Sequence, residues 1–249
     1  LSKKLKIVFF STPGDYTSLQ RLINLKVPVI KVSSGLSNNY PLIREIIIKK
    51  IPLIISTGLS DKKDLIELKN YLNKFRFKKI SILKCTSKYP LPIDKIDMNN
   101  IKHFKKIFNF PIGYSDHSIS LLTPAIAVSK GAKIIEKHFT INNKLKGADH
   151  KISLEPNQFK KMVENVRETE KILGSSKLKL LKGLKKNKKK FQRVLAAKTN
   201  INLGEKITLK NIKFIRNLNH QGRNPKYFFK LENKKSRKRI LKNQIINKI

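Results

Sequence analysis

Cysteine, acidic residues and long apolar runs are what this sequence of 249 residues has least of. Its one cysteine, Cys85, cannot form an internal disulfide, which fits a reducing compartment such as the cytoplasm. No stretch approaches the roughly 18 consecutive apolar residues that a membrane-spanning helix needs. The apolar run at residues 7–10 is also too short for the core of a signal peptide. We therefore expect no membrane partner.

The scarcity of acidic residues makes the chain strongly basic. Lys and Arg number 56 against 16 Asp and Glu, so the formal net charge is +40. Such a charge first suggests a polyanionic partner. Lysine, however, far outnumbers arginine and is spread along the whole chain, whereas specific nucleic-acid binding relies on arginine and on aromatic residues between basic ones. We expect no specific nucleic-acid partner, and a non-catalytic polyanion-binding protein stays open as an alternative.

Strand-like and helix-like segments alternate over the first two thirds of the chain. Apolar runs predict strands at 7–12, 28–34, 52–57, 80–86, 111–115 and 132–138. Segments with apolar residues three or four apart predict the helices between them, and Ser60 is a candidate N-cap for the third. This order predicts an α/β fold with a parallel sheet. Polar residues at successive strand ends favour a barrel over a doubly wound sheet, which stays possible.

The pattern changes after a helix predicted at 155–173, which closes a first domain at 1–173. Residues 174–190 are dense in lysine and predict a mobile linker, with a solvated helix as the alternative. Residues 191–249 return to short strand-like pieces such as 194–197 and 206–208. Because so short a stretch buries little surface, we expect it to lean on the first domain or on another subunit.

Two neighbouring strand ends carry the groups best suited to chemistry. One ends in Ser115, Asp116 and His117, and the next contains Glu136 and His138. Residues two apart on a strand share a face, so Glu136 and His138 point the same way. Two imidazoles and a carboxylate could hold a divalent metal beside an acid/base group. The alternative is that each histidine is an ordinary strand-end residue.

A lysine in an apolar strand indicates an anion site. Lys31 lies between valines and isoleucine and is followed by serines. Burying an ammonium is costly unless an anion meets it, so a phosphate or carboxylate is the expected partner. The alternative is that Lys31 extends outward to solvent. Asp149, in a loop beyond the last strand, could add a carboxylate to the same rim or be an ordinary turn residue.

At these positions the sequence resembles the sialic acid synthase family, which includes N-acetylneuraminate, legionaminate and pseudaminate synthases. The matching pieces are Ser11-Thr12-Pro13, Lys31-Val32-Ser33-Ser34-Gly35, Asn39-Tyr40-Pro41-Leu42, Ser56-Thr57-Gly58, Cys85-Thr86-Ser87-Lys88-Tyr89-Pro90, Gly113-Tyr114-Ser115-Asp116-His117, Glu136-Lys137-His138-Phe139 and Ser153-Leu154-Glu155-Pro156. Their order and spacing match over nearly the whole chain. The tail at 191–249 resembles the family's C-terminal antifreeze-like (SAF) domain.

The resemblance implies a TIM-type barrel that condenses phosphoenolpyruvate with an N-acetylmannosamine-type sugar, giving a nine-carbon 2-keto acid and phosphate. By similarity, His117 and His138 ligate a divalent metal (Mn²⁺, Mg²⁺ or Co²⁺). Glu136 and Asp149 orient the sugar or move protons. Arg216 reaches the sugar's N-acetyl group from the partner subunit of a domain-swapped homodimer. The residues implied to hold phosphoenolpyruvate are Thr12, Lys31, Ser34, Ser56, Ser87, Tyr89 and Ser115.

The resemblance also has departures. Family members begin with two further strands, so the barrel is expected to be incomplete at its N-terminus and this chain to be a fragment with little or no activity alone. Residues 147–150 favour neuraminate or legionaminate over pseudaminate as the product, with pseudaminate as the alternative. An aldolase that uses Lys31 as a Schiff-base amine is a further alternative.

Overall fold

The computed structural model describes residues 1–216 and 222–247. The chain divides into two compact units, residues 1–175 and residues 176–249. This division lies close to the domain boundary that the sequence predicts after residue 173.

Five parallel strands form the sheet of the first unit. They are β1 (Ile30–Val32), β2 (Leu53–Ser56), β3 (Ile80–Lys84), β4 (Ile112–Asp116) and β5 (Ile135–Lys137). Each strand pairs with the next one in sequence, so the spatial order is β1-β2-β3-β4-β5. A doubly wound sheet reverses direction at a switch point, whereas this order runs one way only, as in a barrel. The observed sheet is a curled half-barrel, which confirms the α/β class and the barrel-type winding.

The strand predicted at residues 7–12 is wrong, because these residues have no regular secondary structure. The backbone N–H of Lys31 donates to the carbonyl of Ser11 at 3.1 Å, so the segment passes beside β1. One hydrogen bond does not make a ladder. The side chains of Ile7, Val8 and Phe9 are exposed and have no pleated surface to pack on, so their strand propensity has no effect here.

Helices alternate with the strands along the chain and cover the outer face of the sheet. The helices of this unit are α1 (Tyr16–Asn24), α2 (Tyr40–Ile48), α3 (Lys62–Asn73), α4 (Asn100–Ile107), α5 (Thr123–Ser129) and α6 (Pro156–Leu173). The periodic apolar residues face inward as predicted; for example, α2 buries Leu42, Ile43, Ile46 and Ile47. They pack with strand residues such as Ile30, Ile55 and Ile82 in one apolar core, which fixes the strand ends that carry the site.

The N-cap of α3 is Asp61 and not Ser60 as predicted. The Asp61 carboxylate accepts from the backbone N–H of Asp64 at 2.9 Å, and the Asp64 carboxylate accepts from the N–H of Asp61 at 2.9 Å. This reciprocal capping box satisfies two backbone donors at once. A cap at Ser60 would place Lys63 at the third helical position, where a lysine cannot accept a hydrogen bond.

The second unit contains helix α7 (Leu184–Phe191) and strands β6 (Arg193–Ala197) and β7 (Ile212–Arg216). The two strands pair antiparallel, from Arg193 opposite Arg216 to Ala197 opposite Ile212. The lysine-rich segment predicted as a linker at 174–190 is therefore helical from Leu184 onward. The strand predicted at 206–208 is reduced to one isolated bridge between Lys206 and Lys235. That this unit is an antifreeze-like (SAF) domain stays a prediction.

Throughout the residues that the structure describes, every helix is too short or too polar to cross a bilayer.

Candidate functional site

The candidate site lies where the strands of the half-barrel end. Ser115 on β4 is the register partner of Glu136 on β5. The Ser115 hydroxyl donates to Oε1 of Glu136 at 2.6 Å. The other carboxylate oxygen, Oε2, lies 3.2 Å from Nζ of Lys31 on β1, the strand at the other edge of the sheet. A carboxylate that joins the first and the last strand of the sheet shows that both strand ends face the same concave side.

Lys31 is buried and forms an ion pair with a carboxylate of the same chain. Only 8% of Lys31 is exposed, so the outward-pointing alternative is wrong. Its partner in this structure is the Glu136 carboxylate, whose side chain is 38% exposed. The pair is therefore open to solvent on the glutamate side. An incoming anion could contact the ammonium from that side without any rearrangement of the strands.

A hydroxyl without a partner lies on the strand next to Lys31. Oγ of Ser56, at the end of β2, is buried and has no hydrogen-bond partner within the described part of the chain. An unpaired buried hydroxyl costs about 1–3 kcal/mol, and this cost disappears when a ligand atom bonds to it. Ser56 thus has the property expected of a binding residue.

Two further predicted serines meet at Gly58. The Ser34 hydroxyl accepts from the backbone N–H of Gly58 at 2.8 Å. A β-carbon at position 58 would lie 2.4 Å from Oγ of Ser87, 2.9 Å from Oγ of Ser34 and 2.9 Å from Sγ of Cys85. Only glycine fits between these atoms. The loop after β2 therefore holds the Ser34 and Ser87 hydroxyls close together at the rim.

His117 and His138 face each other across the ends of β4 and β5. Their ring centroids are 5.3 Å apart, and the rings are inclined by 74°. Nδ1 of His117 lies 2.8 Å from the backbone carbonyl of Thr86. Because a carbonyl can only accept, Nδ1 of His117 is the donor in this contact, which leaves Nε2 as the ring nitrogen that could bind a ligand; Sγ of Cys85 lies 3.9 Å from Nε2.

The Asp149 carboxylate lies beside His138. Oδ2 of Asp149 is 3.8 Å from Nδ1 of His138, and the aspartate side chain is 68% exposed. Burial lowers the pKa of His138, and the negative charge of Asp149 opposes this effect. His138 is therefore neutral near pH 7, the form in which imidazole binds metals. Tyr89 completes this side of the site, with its ring centroid 4.1 Å from that of His117 and 5.8 Å from that of His138.

The two histidines fit a divalent metal as part of its ligand set. A metal-binding histidine usually donates its second ring N–H to a carbonyl or a carboxylate, and His117 does so to Thr86. Across residues 1–216 and 222–247, no cluster of three or more His, Cys, Asp and Glu side chains could hold a metal by itself. Substrate or water oxygens would therefore complete the coordination, as is usual for Mn²⁺ and Mg²⁺.

Thr12 and Arg216 are the remaining predicted site residues. The side chain of Thr12 is exposed, and the backbone carbonyl of its neighbour Ser11 accepts from the N–H of Lys31. Arg216 ends β7 in the second unit, where its guanidinium lies 5.2 Å from the centroid of the Phe191 ring. A cavity of about 580 Å³ between α3 and α4, lined by Lys84 and His103 among others, does not include Lys31, Glu136 or the two site histidines.

Asp116 and Lys137 form a buried pair that was not expected from the sequence, in which Asp116 was one of several strand-end residues and Lys137 had no assigned role. In the structure, their side chains lie on the opposite face of the sheet from Ser115 and Glu136 and form an ion pair with 2.7 Å between Nζ and Oδ2. The sequence did contain a signal for this pair. Asp116 and Lys137 each lie between two site residues, and because strand side chains alternate, both must point to the other face of the sheet. Two opposite charges at the same step of neighbouring strands predict such a pair.

A singly wound α/β half-barrel with acid, base and hydroxyl groups at the carboxyl ends of its strands belongs to the barrel class of α/β proteins, in which this rim carries the active site. The family follows from a direct match. The model of the NeuB family matches residues 1–178, and the chain belongs to this family, which confirms the resemblance to sialic acid synthases.

Relatives of known function are sugar acid synthases. The chain is 37% identical over 183 residues to the N,N'-diacetyllegionaminic acid synthase of Legionella pneumophila, covering 72% of this chain and 51% of that protein. It is 35% identical over 234 residues to the pseudaminic acid synthase of Campylobacter jejuni, covering 94% of this chain and 67% of that protein. The chain thus spans about half the length of the Legionella relative.

A solved structure agrees with the fold. The crystal structure of the N-acetylneuraminic acid synthetase of Leptospira borgpetersenii, in complex with citrate, superimposes with a TM-score of 0.70 at 33% sequence identity. The match covers 75% of this chain and 65% of that one.

Proposed function

We propose that this chain carries the rim of a sugar acid synthase that condenses phosphoenolpyruvate with an N-acetylmannosamine-type sugar. The product would be a nine-carbon 2-keto acid of the neuraminate or legionaminate kind, released with phosphate. The observation that carries the proposal is a buried ammonium, Lys31, with a buried hydroxyl on the neighbouring strand, that of Ser56, which has no hydrogen-bond partner among the described residues. Family membership and synthase relatives support it. Pseudaminate is the alternative product, because a pseudaminic acid synthase is similarly related.

Phosphoenolpyruvate is the substrate that suits the Lys31 side of the rim. It is a small anion with a carboxylate and a phosphate, and an ammonium with several hydroxyls can bind such groups by charge-assisted hydrogen bonds. Lys31 would supply the charge, and Ser56 would gain its missing partner. The other groups proposed to contact this donor are Thr12, Ser34, Ser87, Tyr89 and Ser115.

The sugar would occupy the histidine side of the rim. A divalent metal held by His117 and His138 would polarise the aldehyde oxygen of the open-chain sugar. Glu136, bonded to both Lys31 and Ser115, lies between the two substrate positions and would orient the sugar or move a proton. Asp149, exposed beside His138, would take the same kind of role on the outer side.

The reaction needs two bond-forming events. The C3 carbon of phosphoenolpyruvate forms a carbon–carbon bond with the aldehyde carbon, whose oxygen takes up a proton. Water then adds to C2 and loses one proton, which leaves a hydroxyl on C2. The C2–O bond to phosphate breaks as this hydroxyl loses its second proton, so the products are a 2-keto acid and phosphate. Groups on this rim would contribute mainly by holding the two reactants in line, which removes much of the entropic part of the barrier.

Arg216 is proposed to contact the N-acetyl group of the sugar, supplied from the partner subunit of a domain-swapped homodimer. This assignment comes from the family resemblance and concerns the second unit, whose β7 ends at this arginine.

The proposal is tested by phosphoenolpyruvate binding, measured by isothermal titration calorimetry on the whole chain. Both Lys31→Met and Ser56→Ala should weaken binding, the first by about 10- to 100-fold because it removes a charge-assisted contact. Lys102→Met, which removes an exposed lysine on α4, is the matched control and should not change the affinity. Binding that is equally strong in all three variants would contradict the proposed donor site.

A further inference from the structure

Three successive cross-strand pairs lie at the ends of β4 and β5. Ser115 is opposite Glu136 and Asp116 is opposite Lys137 in the parallel register. His117 and His138 follow one residue later on each chain segment. Because strand side chains alternate, the first and third pairs face the site and the middle pair faces the helices. The two histidines lie just beyond the last register pair, so that pair is the last cross-strand tie before them.

The middle pair is almost completely buried. The Lys137 and Asp116 side chains are 1% and 0% exposed, and Nζ lies 2.7 Å from Oδ2. Burial lowers the pKa of Lys137, and the Asp116 charge opposes this effect. A buried ion pair gives little net stability, because desolvation offsets the attraction. Its presence therefore calls for a role other than stability.

The Asp116 carboxylate has no acceptor position left for a substrate or a metal. Oδ1 accepts from the Tyr114 hydroxyl at 3.0 Å and from the backbone N–H of Ser118 at 2.9 Å. Oδ2 accepts from the Thr123 hydroxyl at 2.6 Å as well as from Lys137. A carboxylate has about four acceptor positions, so all of them are used. Asp116 is thus neither a base nor a ligand.

The bonds of this pair hold the backbone on both sides of His117. Asp116 precedes His117, and Ser118 follows it with its N–H bound to the same carboxylate. Nζ of Lys137 also donates to the backbone carbonyl of Ser118, and Lys137 is itself the residue before His138. One buried cluster therefore restrains the residues that flank one histidine and the residue that precedes the other.

We propose that the Asp116–Lys137 pair, with Thr123, positions His117 and His138 relative to each other, so that the two imidazoles are held ready for one metal ion. These are positioning residues, since they touch neither substrate nor metal. The inference rests on the proposed function, because it concerns the metal side of the same site. It goes further by assigning a role to the buried charges on the opposite face of the sheet.

The test measures binding of Mn²⁺ alone to the whole chain by the electron paramagnetic resonance signal of the free ion. Asp116→Asn with Lys137→Met removes both charges together, which avoids leaving one buried charge unpaired. This double variant should weaken Mn²⁺ binding by about 10- to 100-fold, the loss typical for groups that orient metal ligands. Lys133→Met, an exposed lysine just before β5, is the control and should bind like the wild type.

Folding and positioning are separated by near-ultraviolet circular dichroism and by a milder variant. Thr123→Val keeps the side-chain shape, removes one bond to Asp116, and should weaken Mn²⁺ binding by about 2- to 5-fold. If the double variant does not fold, this variant decides the question. Wild-type affinity in a folded double variant, or in Thr123→Val, would overturn the positioning role and leave the proposed function standing. Failure of the wild-type chain to bind Mn²⁺ would overturn the proposed metal site itself.

Discussion

The Lys31–Glu136 pair should respond very differently to the loss of each partner. Lys31→Met removes the buried ammonium and leaves a carboxylate whose side chain is 38% exposed and hydrogen-bonded to Ser115. Glu136→Leu leaves the ammonium, which is 8% exposed as a residue, without its anion. Water can solvate the remaining carboxylate but reaches the remaining ammonium poorly. We therefore expect the first change to be tolerated and the second to destabilise the first unit.

The magnitudes follow from the distance and the burial. Two charges 3.2 Å apart attract by about 5 kcal/mol at an effective dielectric constant of 20. Solvent screening at the exposed glutamate reduces this to roughly 1 kcal/mol. Lys31→Met also removes a desolvation cost of similar or larger size, so the free energy of unfolding should change by less than about 1 kcal/mol. Glu136→Leu strands a buried charge, which costs about 2–4 kcal/mol.

Differential scanning calorimetry on the whole chain measures both effects. A change of 1 kcal/mol shifts Tm by about 2–4 °C for a unit of this size. Lys31→Met should therefore stay within about 4 °C of the wild type, and Glu136→Leu should fall by about 4 °C or more. Equal losses in the two variants, or a larger loss for Lys31→Met, would refute the claim that the ammonium is the costly member of the pair.

Three further predictions concern the rim and the helix ends. Gly58→Ala forces a β-carbon to within 2.4–2.9 Å of two serine hydroxyls and a cysteine sulphur. This change should lower the free energy of unfolding by about 1–3 kcal/mol and weaken phosphoenolpyruvate binding. Gly14→Ala is the control, because its β-carbon meets nothing within 4 Å, and calorimetry should show no change in stability or in binding. Asp61→Ala removes the N-cap of α3 and should lower the unfolding free energy by about 1 kcal/mol in urea titrations, and an equal loss in Ser60→Ala would show the cap to be misplaced. The hydrogen bond from the backbone N–H of Ser18 lowers the pKa of Asp15 below its ordinary value of 3.8. The stability that this cap contributes is therefore present above pH 4 and is lost as acid protonates the carboxyl of the folded protein. Asp15→Asn should flatten that part of the acid unfolding curve, and an unchanged curve would contradict the assignment.

The sequence predicted the winding of the sheet and most of the rim because these depend on local patterns. Continuous apolar runs followed by polar residues placed Lys31, Ser56 and Ser115 correctly on strands β1, β2 and β4. The two-residue period placed Glu136 and His138 together. The exact anion for Lys31 was not predictable, since a carboxylate that follows more than a hundred residues later can be matched only by the closure of the sheet.

The errors have equally physical causes. Residues 7–12 have the composition of a strand, but a strand also needs a ladder and a surface to pack on, and neither is encoded within those six residues. Helix α7 forms in a lysine-dense segment in which neighbouring charges repel, so its pattern gave no clear preference between helix and linker. Thr12 was assigned by family resemblance; its side chain is exposed, and its contact with phosphoenolpyruvate stays a prediction.

The net charge of +40 and the chemistry of the rim act on different steps of anion binding. At the site, Lys31 is offset by Glu136 and Asp149, so these three groups together are slightly negative even though the chain is strongly basic. The long-range field therefore draws any anion towards the protein and is screened by salt, whereas retention at the rim depends on contacts at 3 Å or so. Raising the salt concentration should slow phosphoenolpyruvate association in the wild type and in Lys31→Met alike, while Lys31→Met alone should speed dissociation. A wild type whose dissociation is as fast as that of Lys31→Met would mean that the anion is held by lysine excess and not by a site.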